Sequence, residues 1–329
     1  MNKPKIGVLI HTSLRNRLFS PEDAQRLDSI GDAKWTDSVD PITMEAACEM
    51  LADREIGVGS WGTPAPKEEL LNACPKLKLW EYVAGSVKFM WGPHIEARNL
   101  IIASCAPANG ECVAEMTVGE IIVGVRRILE NAAANRLGRQ KHPPNMKSLY
   151  SSVIGLIGAS QVGRHVITLL RPFGCRVLLY DPYVSKEEAE ELGVTIVRDL
   201  LELCASCDAV SIHTPVLPDT TKMLGAREFQ AMHDDAIFIN TARGVCIDEE
   251  ALIAELEKGR LFAFLDVTAP EPAAEDSPLR RLPNVVLTSH MGGFADLKMG
   301  KQAVDDIAAY IKGESPRMVV TRDMLDRIA

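Results

Sequence analysis

The sequence lacks the features that mark membrane, secreted and nucleic-acid-binding proteins. It has no apolar run near the roughly 18 residues that span a bilayer, and the short run from Ile6 to Ile10 has no small-residue cleavage site after it. An excess of positive charge is also absent, because 45 acidic and 36 basic residues give a net charge of -9. We therefore expect no nucleic-acid partner and no membrane partner.

The cysteines form neither a disulfide framework nor a zinc motif. The sequence contains 8 of them, scattered through apolar segments. Cys204 and Cys207 form a CxxC, but no second pair and no histidine pair follows at zinc-ligand spacing. We expect packing at this pair, with metal or redox chemistry as the alternative, no metal site elsewhere, and reduced thiols in a cytoplasmic protein.

Short apolar runs alternate with segments of helical spacing along most of the chain. At 329 residues the chain is long for a single core, so two domains are expected. Strands alternating with helices predict an open α/β fold in each. The segment from Val113 to Leu129 predicts one long helix, too apolar for a simple surface helix, which indicates a bridge between domains or a subunit interface of a homodimer.

The stretch from Val153 to Asp181 predicts a strand, a glycine turn, a helix and a second strand that ends in an acid. Gly158 allows the tight turn and Gly163 close packing of helix and strand, while the helix N-terminus faces a pyrophosphate. Asp181 follows Gly158 by 23 residues, near the roughly 20 typical of the acid that binds the adenosine ribose. Its carboxylate repels a 2′-phosphate, which predicts NAD rather than NADP.

One position in this stretch departs from the usual pattern. Ser160 stands where a second glycine normally lets the backbone approach the phosphates. Serine is small and its hydroxyl can donate to a phosphate, so we interpret the site as modified and functional. An ordinary strand-to-helix turn is the alternative for a lone glycine motif.

Reactive side chains follow the ends of several later strands. In a doubly wound sheet ligands bind outside the carboxyl ends of the strands, and His213, Arg243, Asp266 and His290 occupy such places. These side chains are therefore expected to converge on one crevice. In the first half of the chain the turn from Ala84 to Val87 suits a small carboxylate, and a plain turn is equally consistent with it.

Five ordered motifs resemble the D-isomer-specific 2-hydroxyacid dehydrogenases, a family that includes phosphoglycerate dehydrogenase and glyoxylate or hydroxypyruvate reductases. They are GASQVG, HTPVLPDTTKML, NTARGVCIDEEAL, LDVTAPEP and SPLRRLPNVVLTSHMGG. The fold class expected is α/β with two doubly wound domains, in which a Rossmann NAD-binding domain is inserted in a flavodoxin-like domain. We place the NAD-binding domain at residues 107–296 and the substrate-binding domain at 1–106 and 297–329.

The resemblance implies a role for each of three catalytic residues. Arg243 would bind the substrate carboxylate and keto oxygen, His290 would be the acid and base, and Glu271 would hydrogen-bond His290 and orient it. Gly85 and Ser86 would hold the substrate carboxylate. The implied cofactor-binding residues are Gly158, Ser160, Gln161, Val162, Gly163, Asp181, His213, Thr214, Pro215, Thr220, Thr241, Ala242, Arg243, Asp266, His290 and Gly292.

The predicted function is hydride transfer between NAD and a small D-2-hydroxy or 2-keto acid. The alternative is an NAD sensor or corepressor on the same fold without turnover. Formate dehydrogenase is disfavoured because glutamine replaces the glutamate at position 271 in that branch, and L-specific dehydrogenases because their glycine-rich unit begins the chain. Ser289 in place of the usual proline, and the VKFMW loop after Ser86, leave the substrate's identity open.

Overall fold

The chain forms two compact units. A computed structural model describes residues 3–139, 143, 145–294, 296–325 and 328. Unit 1 comprises Met1–Gly110 and Gly293–Ala329, and unit 2 comprises Glu111–Gly292. The chain therefore begins unit 1, completes unit 2 and then returns to unit 1.

Strands and helices alternate along the described residues, as the apolar pattern predicts. The strands are β1 Lys5–Val8, β2 Asp32–Trp35, β3 Ile56–Gly59, β4 Leu79–Tyr82, β5 Ile101–Ser104, β6 Val153–Ile157, β7 Arg176–Tyr180, β8 Thr195–Ile196, β9 Ala209–Ile212, β10 Ile237–Asn240, β11 Phe262–Leu265, β12 Val285–Leu287 and β13 Val319–Val320. The α-helices are α1 Thr12–Leu18, α2 Pro21–Ile30, α3 Met44–Leu51, α4 Glu68–Ala73, α5 Pro93–Ala97, α6 Ala106–Val125, α7 Ile128–Arg136, α8 Gln161–Leu170, α9 Lys186–Leu192, α10 Leu200–Ser206, α11 Ala226–Ala231, α12 Glu249–Glu257 and α13 Leu297–Ile311.

Unit 1 is built on a six-stranded sheet in the order β13-β5-β4-β3-β1-β2. Strands β1 to β5 are parallel to one another, and β13 pairs antiparallel with β5. Every residue of β3 and β4 is buried, as expected of central strands covered on both faces. The order 2-1-3-4-5 of the parallel strands is the flavodoxin-like arrangement.

Unit 2 is built on a seven-stranded parallel sheet in the order β12-β11-β10-β9-β6-β7-β8. Read from β8 and numbered from β6 as strand 1, this is the nucleotide-binding order 3-2-1-4-5-6, with β12 as one further strand. The order of the strands reverses between β6 and β9, the place where such sheets bind their ligands. The predicted α/β class with two doubly wound domains is confirmed.

The register of unit 2 aligns the carboxyl ends of its central strands. Ile157 pairs with both Tyr180 and Ile212, Ile212 with Asn240, Asn240 with Leu265, and Leu265 with Leu287. The next residue of each strand therefore lies in one row along the sheet edge. This row contains Gly158, Asp181, His213, Thr241, Asp266 and Thr288.

Helix α6 covers one face of this sheet. Its residues Ile121 and Val125 share a buried cluster with Phe262 and Phe264 of β11, whereas Leu265 belongs to the cluster on the opposite face. Packing of α6 inside unit 2 therefore accounts for much of the apolar character of this helix, which in the sequence indicated a bridge between domains or a subunit interface. None of the described helices combines the length and apolar character needed to cross a membrane.

The prediction of a single helix from Val113 to Leu129 is wrong in one respect, because the helix is interrupted at Arg127. Helix α6 ends at Val125, and Arg127 adopts φ +52°, a left-handed conformation that a continuous helix excludes. The Arg127 side chain is buried, and its guanidinium donates to the Asp235 carbonyl oxygen. This tertiary contact holds the break, and α7 starts at Ile128.

Candidate active site

Two glycines let β6, α8 and the loop after β9 approach one another closely. Gly158 has φ +95°, and a Cβ on it would lie 3.1 Å from the carbonyl carbon and oxygen of His213. A Cβ on Gly163 would lie 2.2 Å from the Gly158 carbonyl oxygen. Both positions require glycine, and the result is a turn whose backbone faces the helix N-terminus.

Ser160 is the N-cap of α8. Its hydroxyl accepts a hydrogen bond from the Gly163 amide at 3.4 Å, and its backbone has φ -65°. This conformation suits any L residue, so the departure from glycine creates no backbone strain. Gln161 and Val162 follow as the first residues of α8, whose N–H groups have no intrahelical partner.

Asp181 lies beside this turn at the end of β7. One carboxylate oxygen accepts from the Ala159 amide at 2.7 Å and the other from the Tyr183 amide at 2.8 Å. Each oxygen keeps a second lone pair for a hydroxyl donor. The structure also places Arg198 here, donating to the carbonyl oxygens of Asp181 and Val184 at 2.7 and 2.8 Å. No motif marks this cation, which follows Asp181 by 17 residues.

The loop after β9 has a buried histidine at its base. The His213 amide donates to the Ile157 carbonyl at 2.7 Å, and neither ring nitrogen of His213 has a partner. Burial lowers the pKa of His213 to about 3, so its imidazole is neutral near pH 7. A neutral ring with one unused donor and one unused acceptor is costly to bury unless a ligand completes it.

Thr220 shapes the rest of that loop. Its hydroxyl accepts from the Leu217 amide at 2.8 Å and donates to the Pro215 carbonyl at 2.6 Å. Thr214 contacts the Met223 sulfur through its hydroxyl at 3.8 Å. Within unit 2, Thr220 therefore positions the loop from Pro215 through its own hydrogen bonds.

The turn that carries Arg243 is held by Asn240, the last residue of β10. The Asn240 side-chain oxygen accepts from the Ala242 amide at 3.0 Å, and its nitrogen donates to the Arg243 carbonyl at 3.1 Å. Thr241 is anchored separately, by a 3.0 Å contact between its hydroxyl and that of Thr117 on α6. Asn240 is not among the site residues predicted from sequence, although an amide side chain at a strand end is a usable signal for a residue that holds a turn.

Gly244 brings this turn against the segment that leads to Glu271. A Cβ on Gly244 would lie 2.1 Å from the backbone carbon and oxygen of Thr268, so only glycine fits. The segment is fixed further by Glu249, whose carboxylate accepts from the Ala269 amide at 2.9 Å. Burial raises the pKa of Glu249. Both residues were missed from sequence, where Gly244 was only part of a motif.

Asp266 organises the loop that carries His290. Its carboxylate accepts from the Thr288 hydroxyl at 2.6 Å and from the Met291 and Gly292 amides at 2.8 and 2.9 Å. Its carbonyl oxygen accepts from the His290 amide at 2.8 Å. These bonds hold His290 at φ +53°, a left-handed conformation that L residues rarely adopt.

His290 and Glu271 form a direct pair. The Nδ1 atom of His290 lies 2.5 Å from a carboxylate oxygen of Glu271, and the two side chains are 45% and 38% exposed. A carboxylate on Nδ1 fixes the ring orientation and directs the exchangeable position, Nε2, outward. Two of the three predicted catalytic residues are therefore in direct contact. The third, Arg243, follows β10, which is separated in the sheet only by β11 from β12, the strand that precedes His290.

The predicted substrate turn belongs to unit 1, whereas the catalytic residues belong to unit 2. At the end of β4 the Gly85 carbonyl oxygen accepts from the Ser104 hydroxyl at 2.6 Å, and the Ala84 amide donates to the Tyr82 carbonyl at 2.8 Å. Gly85 and Ser86 are half-buried in this turn. Their role toward a substrate stays a prediction.

The sulfur chemistry left open for Cys204 and Cys207 finds no support in their surroundings. Both side chains are fully buried. Burial raises the pKa of each thiol to about 12, which suppresses the reactive thiolate. Across the described part of the chain, no group of three or more His, Cys, Asp or Glu residues is arranged to hold a metal ion.

Comparison with known proteins identifies this arrangement. The family model for the D-isomer specific 2-hydroxyacid dehydrogenase NAD-binding domain matches residues 118–292. D-3-phosphoglycerate dehydrogenase of Methanocaldococcus jannaschii is 31% identical over 91% of this chain and 57% of its own length. Glyoxylate reductase of Korarchaeum cryptofilum is 28% identical over 88% of this chain and 90% of its own length.

A solved structure shows a similar fold over nearly the whole chain. D-lactate dehydrogenase with NAD+ from Lactobacillus jensenii has a TM-score of 0.79 and 26% identity, covering 97% of this chain and 100% of that one. The chain spans only 57% and 43% of the length of two phosphoglycerate dehydrogenases that it matches. The chain belongs to the D-isomer specific 2-hydroxyacid dehydrogenase family, with its NAD-binding domain at residues 118–292.

Proposed function

We propose that this protein is an NAD-dependent oxidoreductase that interconverts a small D-2-hydroxy acid and its 2-keto acid. The observation that carries the proposal is the pair of His290 and Glu271, held by Asp266 in the strand-end row that begins at the Gly158 turn. A candidate acid/base pair and a candidate dinucleotide cradle on one sheet edge support the proposal.

The residues of unit 2 fit NAD. Gly158 and the N-terminus of α8 offer backbone N–H groups to a pyrophosphate, together with Ser160, Gln161 and Val162. Asp181 has lone pairs for the adenosine ribose, and the two unused ring nitrogens of His213 mark a place that a ligand completes. When bound, NAD supplies the nicotinamide carbon that accepts or gives the hydride.

His290 moves the proton of the reaction. In reduction its Nε2 gives a proton to the keto oxygen, and in oxidation it takes the proton from the hydroxyl. Glu271 contacts Nδ1 and keeps the ring from rotating, so that Nε2 is the atom that exchanges the proton. Because both side chains are partly exposed, the pair has access to a substrate.

Arg243 binds the substrate as a fixed cation. Its guanidinium presents a planar fork that matches a carboxylate and an adjacent carbonyl oxygen. The Asn240 clamp and the close contact of Gly244 hold the backbone that carries it. In unit 1 we assign Gly85 and Ser86 to the substrate carboxylate, in keeping with the family resemblance.

The domain roles follow from these assignments. Unit 2 contains the matched NAD-binding domain, and we propose residues 107–296 as the cofactor domain. We propose residues 1–106 and 297–329 as the substrate-binding domain. Glyoxylate reductase and phosphoglycerate dehydrogenase among the relatives indicate a short 2-keto acid as the first class to test.

We also propose a cytoplasmic homodimer. The eight cysteines, all within the described residues, are not joined in disulfides, as in a reducing compartment. Five large apolar side chains are exposed in the segment that follows α6, which is a candidate dimer surface. They are Ile128, Leu129, Leu137, Met146 and Tyr150. Light scattering at micromolar concentration tests this, and a monomer would contradict it.

An NADH oxidation screen tests the enzymatic proposal. Pyruvate, glyoxylate, hydroxypyruvate, 2-oxoglutarate and phosphohydroxypyruvate are the substrates, with His290→Ala as the control variant. We expect turnover of at least one acid, its loss in His290→Ala, and NADH binding that is retained in that variant, although weaker, by fluorescence. Binding of NADH without turnover of any 2-keto acid would favour the sensor alternative, and equal activity in His290→Ala would overturn the mechanism.

A further inference from the structure

Glu120 lies on the face of α6 that packs against the unit 2 sheet. Along this helix Thr117 bonds Thr241 just beyond β10, and a Cβ on Gly124 would lie 3.2 Å from the Phe264 ring inside β11. Helix α6 therefore runs antiparallel to the strands. Glu120 is one turn before Gly124, so it lies level with the end of β11.

Asp266 is the residue that Glu120 faces. Side chains alternate along a strand, and Phe264 points toward α6. Asp266, two residues later, therefore points to the same side. From Phe264 to Asp266 the strand advances about 6.6 Å. From Gly124 back to Glu120 the helix covers roughly 6 Å in the same direction, so the two pairs are level.

One oxygen of the Glu120 carboxyl is buried without a hydrogen-bond partner. Burial, and after it the charge of Asp266, raises the pKa of Glu120 to about 8. The group therefore carries its proton near pH 7, and its unpartnered oxygen can serve as a donor. Asp266 has the opposite character, since its carboxylate accepts from Thr288, Met291 and Gly292.

The nicotinamide carboxamide has the complementary pair of groups. It presents an N–H donor and a carbonyl acceptor side by side, and a carboxylate beside a carboxylic acid matches both. The family resemblance assigns the nicotinamide carboxamide to Asp266, whose carboxylate would accept from the carboxamide nitrogen. We infer that Glu120 donates to the carboxamide oxygen of the cofactor. This rests on the proposed NAD-dependent function and assigns a binding residue that the sequence analysis did not select.

Binding of cofactor analogues to variants of Glu120 tests the inference. Glu120→Gln retains a donor, Glu120→Leu has similar volume without one, and Glu115→Leu is the matched control on an exposed position of α6. We expect Glu120→Leu to weaken NADH binding about three- to tenfold, the range of one neutral hydrogen bond. Glu120→Gln and Glu115→Leu should stay within about twofold.

Two analogues separate a lost contact from a disturbed fold. Reduced thionicotinamide adenine dinucleotide replaces the acceptor oxygen by sulfur, a weak acceptor, so Glu120→Leu should change its dissociation constant by less than about twofold. ADP-ribose lacks nicotinamide and should bind all variants equally. Equal losses for NADH, the thio analogue and ADP-ribose in Glu120→Leu would show a structural effect and overturn the inference.

Failure of the inference is distinguishable from failure of the proposed function. If Glu120→Leu binds NADH like the unmodified protein while 2-keto acids are still reduced, Glu120 does not contact the carboxamide and only the inference falls. If the unmodified protein neither binds NADH nor reduces any 2-keto acid, the proposed function falls and the inference falls with it.

Discussion

The two edges of the unit 2 sheet use ionisable side chains in opposite ways. At the carboxyl edge, His213 and Glu120 have buried atoms without partners, and His290 and Glu271 are partly exposed. At the amino edge, Asp208 accepts from the Val153 amide at 2.8 Å and from Lys147 at 2.7 Å. Its carboxylate also lies 3.4 Å from Nε2 of His233.

The amino edge satisfies its charges within the protein. His233 contacts the Asp234 carbonyl through Nδ1 at 2.8 Å and the Asp208 carboxylate through Nε2, and neither oxygen is a donor. Both ring nitrogens therefore need protons, and the hydrogen bond to Asp208 raises the pKa of His233. The hydrogen-bonding capacity of the amino edge is used within the fold, whereas that of His213 and Glu120 at the carboxyl edge is available to a ligand.

Replacing one arginine by lysine at each edge should give the largest difference in effect between the two edges. Arg243→Lys removes the planar fork, so kcat/KM for the best keto acid should fall about 10²- to 10³-fold while the unfolding midpoint is unchanged. Arg127 is 5% exposed and donates to Asp235 and Glu130. Arg127→Lys should cost about 1–3 kcal/mol of stability and leave kcat/KM within twofold. Steady-state kinetics and urea unfolding of both variants measure this, and a reversed pattern would contradict the comparison.

Removal of the central acid of the amino edge should reduce stability alone. Burial favours the neutral form of Asp208, but hydrogen bonds from His233, Lys147 and the Val153 amide outweigh it and lower the pKa of Asp208. Asp208→Asn leaves two cations without this carboxylate and should cost about 2–3 kcal/mol. Urea unfolding measures the loss, and kcat of the folded variant at low temperature should match that of the unmodified protein.

At the carboxyl edge, Asp181→Ser should change cofactor choice. The ribose loses its acceptor, so NADH affinity should fall about tenfold. NADPH should bind better than to the unmodified protein, since the carboxylate is removed and the Arg198 cation stays. Fluorescence titration with both cofactors checks this, with Glu187→Gln as the control for loss of an exposed acid. Unimproved NADPH binding would mean that Arg198 is unable to turn toward a phosphate.

The pH dependence of stability gives the smallest expected effect. Because the folded pKa of His233 is raised, its contribution is complete below the unfolded value of 6.5 and is lost as pH rises through the folded value. The side chain is 43% exposed, so solvent screens the pair and the loss should stay within about 1 kcal/mol. Urea unfolding at acidic and alkaline pH should show this loss in the unmodified protein and not in His233→Gln.

Much of the fold could be predicted because buried parallel strands are continuous apolar runs. Strands such as β6 and β10 are buried and bounded by glycine or polar turns, so their positions were clear. The edge strands β2 and β13 lack such a run: β2 contains polar residues and is only partly buried, and β13 has only two residues. Their pairing depends on tertiary contacts that local sequence does not report.

Residues of the candidate site could be selected from sequence where they belong to a motif, and not where distant segments meet. Arg243, Glu271 and His290 follow recognisable motifs. Arg198 reaches Asp181 only through the fold of the β7–β8 connection. The significance of Glu120 depends on the rotation of α6 relative to β11, which helical periodicity leaves undetermined. His213 was interpretable as a packing residue until its ring nitrogens proved to be unpartnered.

Gly292 lies where the two ends of unit 2 meet. A Cβ on this glycine would lie 3.4 Å from the Met116 sulfur and 3.7 Å from Val113, so the last residue of unit 2 touches residues near its first. A gene fragment for residues 111–292 would thus encode a polypeptide that starts and stops at neighbouring points in space. The cut divides α6 after its first five residues, and the Asn109 side chain donates to the Gly293 carbonyl oxygen at 3.3 Å, so a short splice would rejoin the two ends left in unit 1.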